Sequence, residues 1–213
     1  TEFWMMDAEM AFINLDDNMN VQEELIRHMV SAVLENNKAE LEILERDIKA
    51  LENTVKPFHK ITHTEAVKML QDMGSDIKDG EDLGADDETM LTKKFDNPIF
   101  VTHYPAKIKS FYMERNVNNH ELAECSDLLA PEGYGEIIGG SQREDDHDTL
   151  LQRLKEEKLS QEDFQWYLDL RKYGSVPHGG FGFGLERIVA WVCGIQHVRE
   201  TIPFPRTINR LKP

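Results

Sequence analysis

The sequence predicts an α+β domain in which an antiparallel sheet is flanked by helices. Short aromatic and aliphatic runs separated by Pro, Asn and Gly are typical of antiparallel strands. A stretch over about residues 20–55 instead carries apolar residues every three or four positions, as amphipathic helices do. Of the 213 residues, 40% are hydrophobic and 30% charged, which is enough apolar material for a core and too much for a disordered chain. No internal repeat is present, so one domain is expected.

The first half of the chain begins with a predicted strand and continues into helices. Residues 1–12 are apolar and aromatic with acids at intervals, which indicates a strand. Residues 21–55 form a long helix or a helical pair, interrupted near Asn36-Asn37 and ended by Pro57. Thr62 and Glu65 have the spacing of a capping box for a short helix that stops at Gly74. The acidic residues 75–88 are expected to form a solvated loop.

The second half of the chain is predicted to form a series of strands, then two helices, and then a last strand and helix. The expected strands cover residues 99–104, 110–113, 122–129 and 135–143. Helices are expected over 146–157 and 161–171, the second capped by Ser160. A glycine-rich strand over 179–184 then enters a helix that ends at Gly194.

Composition excludes several classes of function. The 24 basic and 40 acidic side chains give a net charge of −16, which opposes bulk electrostatic binding of nucleic acid but leaves room for a local basic patch. No run approaches a membrane span and no basic leader opens the chain, so a cytoplasmic, soluble protein is expected.

Cys125 and Cys193 have no paired spacing and are expected as buried thiols. His59 and His63 stand four apart, but the helix cap at Thr62 separates them, so no metal pair is expected.

The segment Gly179–Gly184 is the strongest local signal of a binding site. Four glycines in six positions let a ligand come close to the backbone; the alternative is that they only let the strand pack against the helix. A dinucleotide-binding fingerprint would need an early βαβ unit, and a phosphate loop would need Gly-Lys-Ser/Thr; neither is present. Arg187, in the first turn of the following helix, favours a ligand site.

These residues carry a family resemblance. The segment His178-Gly-Gly-Phe-Gly-Phe-Gly-Leu-Glu-Arg187 resembles motif 3 of the class II aminoacyl-tRNA synthetases. Three further segments resemble the asparaginyl enzymes, which are close relatives of the aspartyl enzymes: Gly135-Glu-Ile-Ile-Gly-Gly-Ser-Gln-Arg143, Asp127-Leu-Leu-Ala-Pro131 and Tyr173-Gly-Ser-Val-Pro-His178. Ile202-Pro-Phe-Pro-Arg206 resembles the usual C-terminal ending of the family. Thr1-Glu-Phe-Trp-Met5 with Asp7-Ala-Glu9 resembles the second strand of motif 2.

The resemblance implies both a fold and a reaction. Residues 1–213 would be part of a class II catalytic domain that lacks motif 1, the first strand of motif 2 with its ATP-binding arginine, and the anticodon-binding domain. The intact enzyme would use ATP and Mg²⁺ to form asparaginyl-adenylate, charge tRNA(Asn), and act as a homodimer. Rival expectations are an aspartate-using relative, meaning an aspartyl enzyme or a synthetase-like asparagine synthetase, and a non-catalytic fragment that keeps a nucleotide site or only binds partners.

The resemblance also assigns roles at the nucleotide site. Arg187 and Phe3 would enclose adenine from opposite sides, with Arg187 also reaching the γ-phosphate. Gly182 and Gly184, together with the neighbouring glycines 179 and 180, would leave the strand beneath the nucleotide free of side chains. Glu136 and Asp127 would hold Mg²⁺; the alternative for each is an acid paired with a nearby base.

At the amino-acid site, the resemblance implies that Arg143 binds the side-chain carbonyl oxygen of the substrate. Gln142 and Ser141 are its candidate polar neighbours, or they have only a structural role. The group that separates asparagine from aspartate is expected outside this chain. His178 is expected either near the nucleotide or as a turn histidine with satisfied hydrogen bonds.

Overall fold

The computed structural model describes residues 2–212, so Thr1, the first residue of the motif 2 segment, lies outside the described part. The strands are β1 (Met5–Ala11), β2 (His59–Thr62), β3 (Ile99–Thr102), β4 (Arg115–Asn116), β5 (Asn119–Ala123), β6 (Cys125–Ala130), β7 (Gly135–Gln142) and β8 (His178–Gly184). The helices are α1 (Leu15–Asn36), α2 (Lys38–Ile43), α3 (Ile48–Glu52), α4 (His63–Asp72), α5 (Ala85–Thr92), α6 (His147–Glu156), α7 (Gln165–Lys172) and α8 (Leu185–Cys193). Single 3₁₀ turns lie at Asn53–Val55, Ala106–Ile108 and Val198–Glu200.

Six strands form one sheet in the order β1-β8-β7-β6-β3-β2, and β4 and β5 form a separate hairpin. Every pairing in the large sheet is antiparallel except that of β2 with β3. The predicted antiparallel sheet is therefore confirmed for four of its five pairings. The parallel strand β2 was missed because it has only four residues and the last of them, Thr62, is the N-cap of α4.

The helices divide the sheet into a fully covered face and a partly open one. Apolar residues of α1 and α8, including Ile26 and Trp191, pack against β6, β7 and β8 to form the largest core cluster. On the other face, α4 and α5 cover only the β3–β6 side, around Leu70 and Leu91. The face over β1, β8 and β7 is consequently left open for a ligand.

Several predicted elements differ in extent from the observed ones. The helical stretch breaks at Asn37 as expected, but α1 already begins at Leu15 because Asn14 forms a capping box with Asp17. The capping box at Thr62 and Glu65 is confirmed. The predicted 75–88 loop is wrong at its end, since residues 85–88 form the first turn of α5.

Two further corrections concern residues 110–113 and 161–164. Residues 110–113 are not a strand: Met113 makes one isolated bridge, while Phe111 packs edge-on against Phe164 with ring centroids 5.0 Å apart. This contact between distant parts of the chain decides the local conformation. The Ser160 hydroxyl accepts a hydrogen bond from the Asp163 N–H at 3.3 Å. The helix nevertheless begins only at Gln165, so residues 161–164 are not helical as predicted. Within residues 2–212 no helix is both long and apolar enough to cross a membrane.

Candidate active site

Strand β8 presents its glycines to the open face of the sheet. Side chains alternate along a strand, so burial of Phe181 and Phe183 in the core turns Gly180 and Gly182 to the other side. A Cβ at Gly182 would overlap the Asp7 carboxylate, and one at Gly180 would overlap the Ala8 carbonyl oxygen. The glycines therefore make room for the backbone and acidic side chains of β1.

Arg187 lies at the junction of α8 with this glycine strand. Its Nη1 donates a hydrogen bond to the backbone carbonyl of Glu136 on β7. A cavity of about 620 Å³ opens beside it, and Phe3, Gly182 and Gly184 contribute to the lining. Phe3 is 64% exposed, so its ring is free to contact a ligand. The structure thus brings Phe3 and Arg187, the two residues to which the resemblance gives adenine, to one cavity.

A β-bulge directs Glu136 to the open face. Leu128 pairs with Ile138 and Leu129 with Glu136, which leaves Ile137 as the extra residue of the bulge. A Cβ at Gly139 would approach the carboxylate oxygens of both Glu136 and Asp127, so the two carboxylates converge over the same glycine. Burial, and then the negative charges of Asp127 and Glu88, raise the pKa of Glu136 to about 6.

Asp127 is also engaged by a base. Its Oδ2 accepts a hydrogen bond from Lys109 Nζ at 2.8 Å, and the same ammonium lies 3.6 Å from Asp82. The expected alternative of an acid paired with a base is therefore present at Asp127. The ion pair with Lys109 and a role in binding Mg²⁺ are compatible, because the Asp127 carboxylate has a second oxygen available for a cation.

Glu88 is a member of this acidic group that the sequence analysis placed in a solvated loop. Its Oε2 accepts the backbone N–H of Glu136 at 2.9 Å. Gly135, with φ of +73°, permits this approach, because a Cβ there would collide with Glu88. Burial raises the pKa of Glu88, and the nearby Arg187 opposes the rise. Only the packing of α5 beside β7 reveals this contact.

Arg143 lines a second cavity of about 760 Å³. Its Nη2 lies 2.6 Å from Oε1 of Glu9, its Nη1 donates to the Ser141 hydroxyl, and its guanidinium lies 5.2 Å from the Tyr112 ring centre. Glu9 is an acidic partner that the sequence analysis did not assign. Its position two residues after Asp7 in a strand was the available signal, since both then face the same side.

Gln142 faces away from this cavity. Its Oε1 accepts the backbone N–H of Leu15 at the start of α1, on the covered face of the sheet. Consecutive strand residues point to opposite faces, so Gln142 and Arg143 do not share a site. The assignment of Gln142 as a polar neighbour of the substrate is therefore corrected: it anchors α1. Ser141, by contrast, does contact Arg143.

The histidines singled out in the sequence contact backbone carbonyl groups or an aromatic ring. His178 Nδ1 lies 2.8 Å from the Val176 carbonyl oxygen, and its own backbone carbonyl accepts the Arg143 N–H at 3.0 Å. This fits the turn-histidine alternative. His63 is buried with Nε2 2.8 Å from the Glu81 carbonyl oxygen, whereas His59 lies in β2 beside Phe95. Across residues 2–212, no group of three or more His, Cys, Asp or Glu residues is arranged as a metal site.

The two cavities adjoin on the open face. Met5, Glu136 and Gly182 line both of them. One compartment offers an aromatic ring and an arginine, and the other offers an arginine paired with an acid. A ligand with a planar group at one end and a polar, charged group at the other would span the pair, with the middle of the ligand beside Glu136.

A largely antiparallel sheet whose glycine-rich strand leads into an arginine-bearing helix defines the catalytic domain of class II aminoacyl-tRNA synthetases. The chain belongs to the family of tRNA synthetases class II (D, K and N), whose sequence model matches residues 1–208. The resemblance found in the sequence is thereby confirmed.

Solved structures agree with this membership. The chain is similar to asparaginyl-tRNA synthetase from Pyrococcus horikoshii complexed with asparaginyl-adenylate, at 52% identity and a TM-score of 0.96, covering 99% of this chain and 49% of that one. It is similar to the Entamoeba histolytica asparaginyl-tRNA synthetase complex with asparaginyl-adenylate, at 34% identity and a TM-score of 0.89, covering 99% and 48%. The aspartyl-tRNA synthetase of the same organism is 27% identical with a TM-score of 0.89, covering 100% and 45%. The chain thus spans about half the length of these proteins.

Proposed function

We propose that the protein activates asparagine with ATP and transfers the asparaginyl group to tRNA(Asn). The observation that carries the proposal is the pair of adjoining cavities, with Arg187 and Phe3 in one, Arg143 and Glu9 in the other, and Glu136 at their boundary. Asparaginyl-adenylate, the compound named for two of the similar solved structures, has this bipartite form.

The nucleotide compartment suits ATP. Guanidinium stacks on a purine and also pairs with phosphate oxygens, while the exposed Phe3 ring supplies an opposite apolar face. In activation, an oxygen of the amino-acid carboxylate attacks the α-phosphorus, an O–P bond forms, and the bond to pyrophosphate breaks. The substrate supplies its own nucleophile, so the protein contributes position and charge neutralisation.

Mg²⁺ is proposed as the cofactor, held by Glu136 and Asp127. The fit rests on the two carboxylates that converge over Gly139. The pKa of Glu136, raised first by burial and then by the negative charges of Asp127 and Glu88, agrees with an excess of negative charge there. Mg²⁺ takes one or two protein carboxylates and completes its shell with phosphate oxygens and water. When bound, it would neutralise charge on the phosphates.

The pairing of Arg143 with Glu9 favours asparagine over aspartate. An arginine alone would suit a carboxylate at least as well as an amide. The Glu9 carboxylate beside it adds an acceptor for the amide NH₂ and repels a substrate carboxylate, which makes the discrimination asymmetric. On this proposal the discriminating group lies within this chain, on β1.

A cytoplasmic location and a homodimer are also part of the proposal, and the homodimer rests on the family resemblance. The decisive measurement is ATP–pyrophosphate exchange by the full-length protein with asparagine, aspartate or lysine. Exchange driven by asparagine is expected. Exchange driven only by aspartate would identify an aspartate-using relative, and absence of both exchange and calorimetric ATP binding would identify a non-catalytic protein.

A further inference from the structure

Glu186 is an almost fully buried acid at the edge of the nucleotide cavity. Its side chain lies in the first turn of α8 and the residue is 5% exposed. Both carboxylate oxygens lie 3.0 Å from the backbone nitrogen of Trp4, a residue 182 positions earlier in the chain. A buried carboxylate is costly unless it is satisfied, so this contact with the N–H of Trp4 is the reason the side chain tolerates its position.

The strand register explains why Trp4 needs this acceptor. Met5 is opposite Gly184 in the antiparallel β1–β8 ladder, so Trp4 would be opposite Leu185. One of the two expected bonds is present, because the Leu185 N–H donates to the Trp4 carbonyl at 2.9 Å. The Leu185 carbonyl, however, belongs to the first turn of α8 and points along the helix. The Glu186 carboxylate takes its place and extends the ladder by one pair.

This contact links the two walls of the cavity. Phe3 immediately precedes Trp4, and Arg187 immediately follows Glu186. Because β1 begins only at Met5, the ladder itself does not hold Phe3. We propose that Glu186 is a positioning residue that holds Phe3 opposite Arg187 and so sets the width of the adenine slot. The inference rests on the proposed function, since it assumes that adenine binds between these two side chains.

If Glu186 only stabilised the helix, its variants would behave differently from those of a residue that positions Phe3. An acid in the first helical turn stabilises the helix through its charge, whether or not it reaches Trp4. Aspartate retains that charge but is one methylene shorter and cannot reach the Trp4 N–H. Glutamine loses the charge but retains an oxygen of the same reach. The two variants therefore separate the charge from the contact.

The test measures the KM for ATP and kcat in asparagine-dependent pyrophosphate exchange, with melting temperature as the stability readout. Glu186→Gln is expected to keep a near-normal KM, while Glu186→Asp raises it about tenfold, equivalent to ~1.4 kcal/mol, with little change in kcat. Binding of inorganic tripolyphosphate, measured by calorimetry, should not change, because it has no base to stack. Glu35→Asp, at an exposed position on α1, is the matched control and should behave as wild type.

A double-mutant cycle with Phe3→Ala completes the test. If Glu186 acts through Phe3, the loss from Glu186→Asp disappears once the ring is removed. Additive effects, a normal KM for Glu186→Asp, or an equal loss of ATP and tripolyphosphate binding would each overturn the inference. If neither Glu186→Asp nor Arg187→Ala changed ATP use, the proposed function itself would fail. If Arg187→Ala lost activity but Glu186→Asp did not, only the inference about Glu186 would fail.

Discussion

Arg187 on α8 donates a hydrogen bond to the backbone carbonyl of Glu136 on β7. The backbone of Glu136 is held at its amide as well, since the Glu136 N–H donates to Oε2 of Glu88. The proposed nucleotide-binding arginine and the proposed metal-binding acid are thereby fixed to each other before any ligand arrives. Preorganised charge of this kind avoids reorganisation during the reaction.

Replacing Arg187 by alanine should lower ATP–pyrophosphate exchange about 10²–10³-fold, because a stacking plane and a phosphate donor are both lost. Arg187→Lys should retain little of the exchange activity, since an ammonium has no planar face to stack on adenine. Arg27→Ala is the control for loss of a positive charge, at a half-buried position on α1 where the guanidinium lies 3.6 Å from Glu23. Normal exchange by Arg187→Ala would contradict the nucleotide assignment.

Glu136→Gln should raise the Mg²⁺ concentration needed for half-maximal exchange by about tenfold, since an amide is a weaker ligand than a carboxylate. The measurement is a Mg²⁺ titration at fixed ATP and asparagine. Glu35→Gln serves as the control and should titrate normally. An unaltered titration for Glu136→Gln would remove this residue from the metal site.

Glu9→Gln should reduce the preference for asparagine over aspartate by about 10–100-fold, because the neutral amide no longer repels a substrate carboxylate and Arg143 loses its counter-charge. The comparison is kcat/KM in exchange for each amino acid. A preference that stays at the wild-type level would place the discriminating group elsewhere.

Gly180→Ala and Gly184→Ala form a matched pair in one strand. A Cβ at Gly180 would overlap the backbone of Ala8, whereas one at Gly184 would meet only ordinary contacts with Arg187 and Met5. Gly180→Ala should destabilise the protein by about 1–3 kcal/mol through this overlap, and Gly184→Ala should be better tolerated. Denaturant unfolding of both variants checks this; equal stabilities would show that β1 shifts without cost.

Glu114 should make the protein less stable as pH rises. Burial, then the charges of Glu144, Asp145 and Glu124, raise its pKa from 4.5 to about 7. Between these two values the folded state binds more protons than the unfolded state, so stability falls with increasing pH across this window.

Glu114→Gln removes that penalty. At pH 8 its melting temperature should exceed that of wild type by about 2–4 °C, which corresponds to ~1 kcal/mol for a domain of this size after allowance for solvent screening. At pH 4 most of the difference should disappear, because the wild-type carboxyl is then mainly protonated in both states. An advantage of equal size at both pH values would rule out the titration of Glu114 as its cause.

The sequence by itself determined the parts of this protein that depend on neighbouring residues. The capping box at Thr62, the break at Asn37 and the junction of the glycine strand with the Arg187 helix are each set within a few positions, so periodicity and motif spacing were sufficient to predict them. The pairing of Phe3 with Arg187 was predicted from the family resemblance, which carries long-range information that spacing lacks.

Beyond the pairs that the resemblance supplied, only the tertiary structure decided which side chains share a site and how they meet. The bulge at Ile137 turns Glu136 toward Asp127, and Glu9 meets Arg143 across 134 positions of the chain. Glu88 reaches the Glu136 amide because α5 packs beside β7. Strand register and helix packing arise from the burial of the whole core, and a shift of one residue in a strand moves every side chain to the opposite face, so no local pattern contains this information.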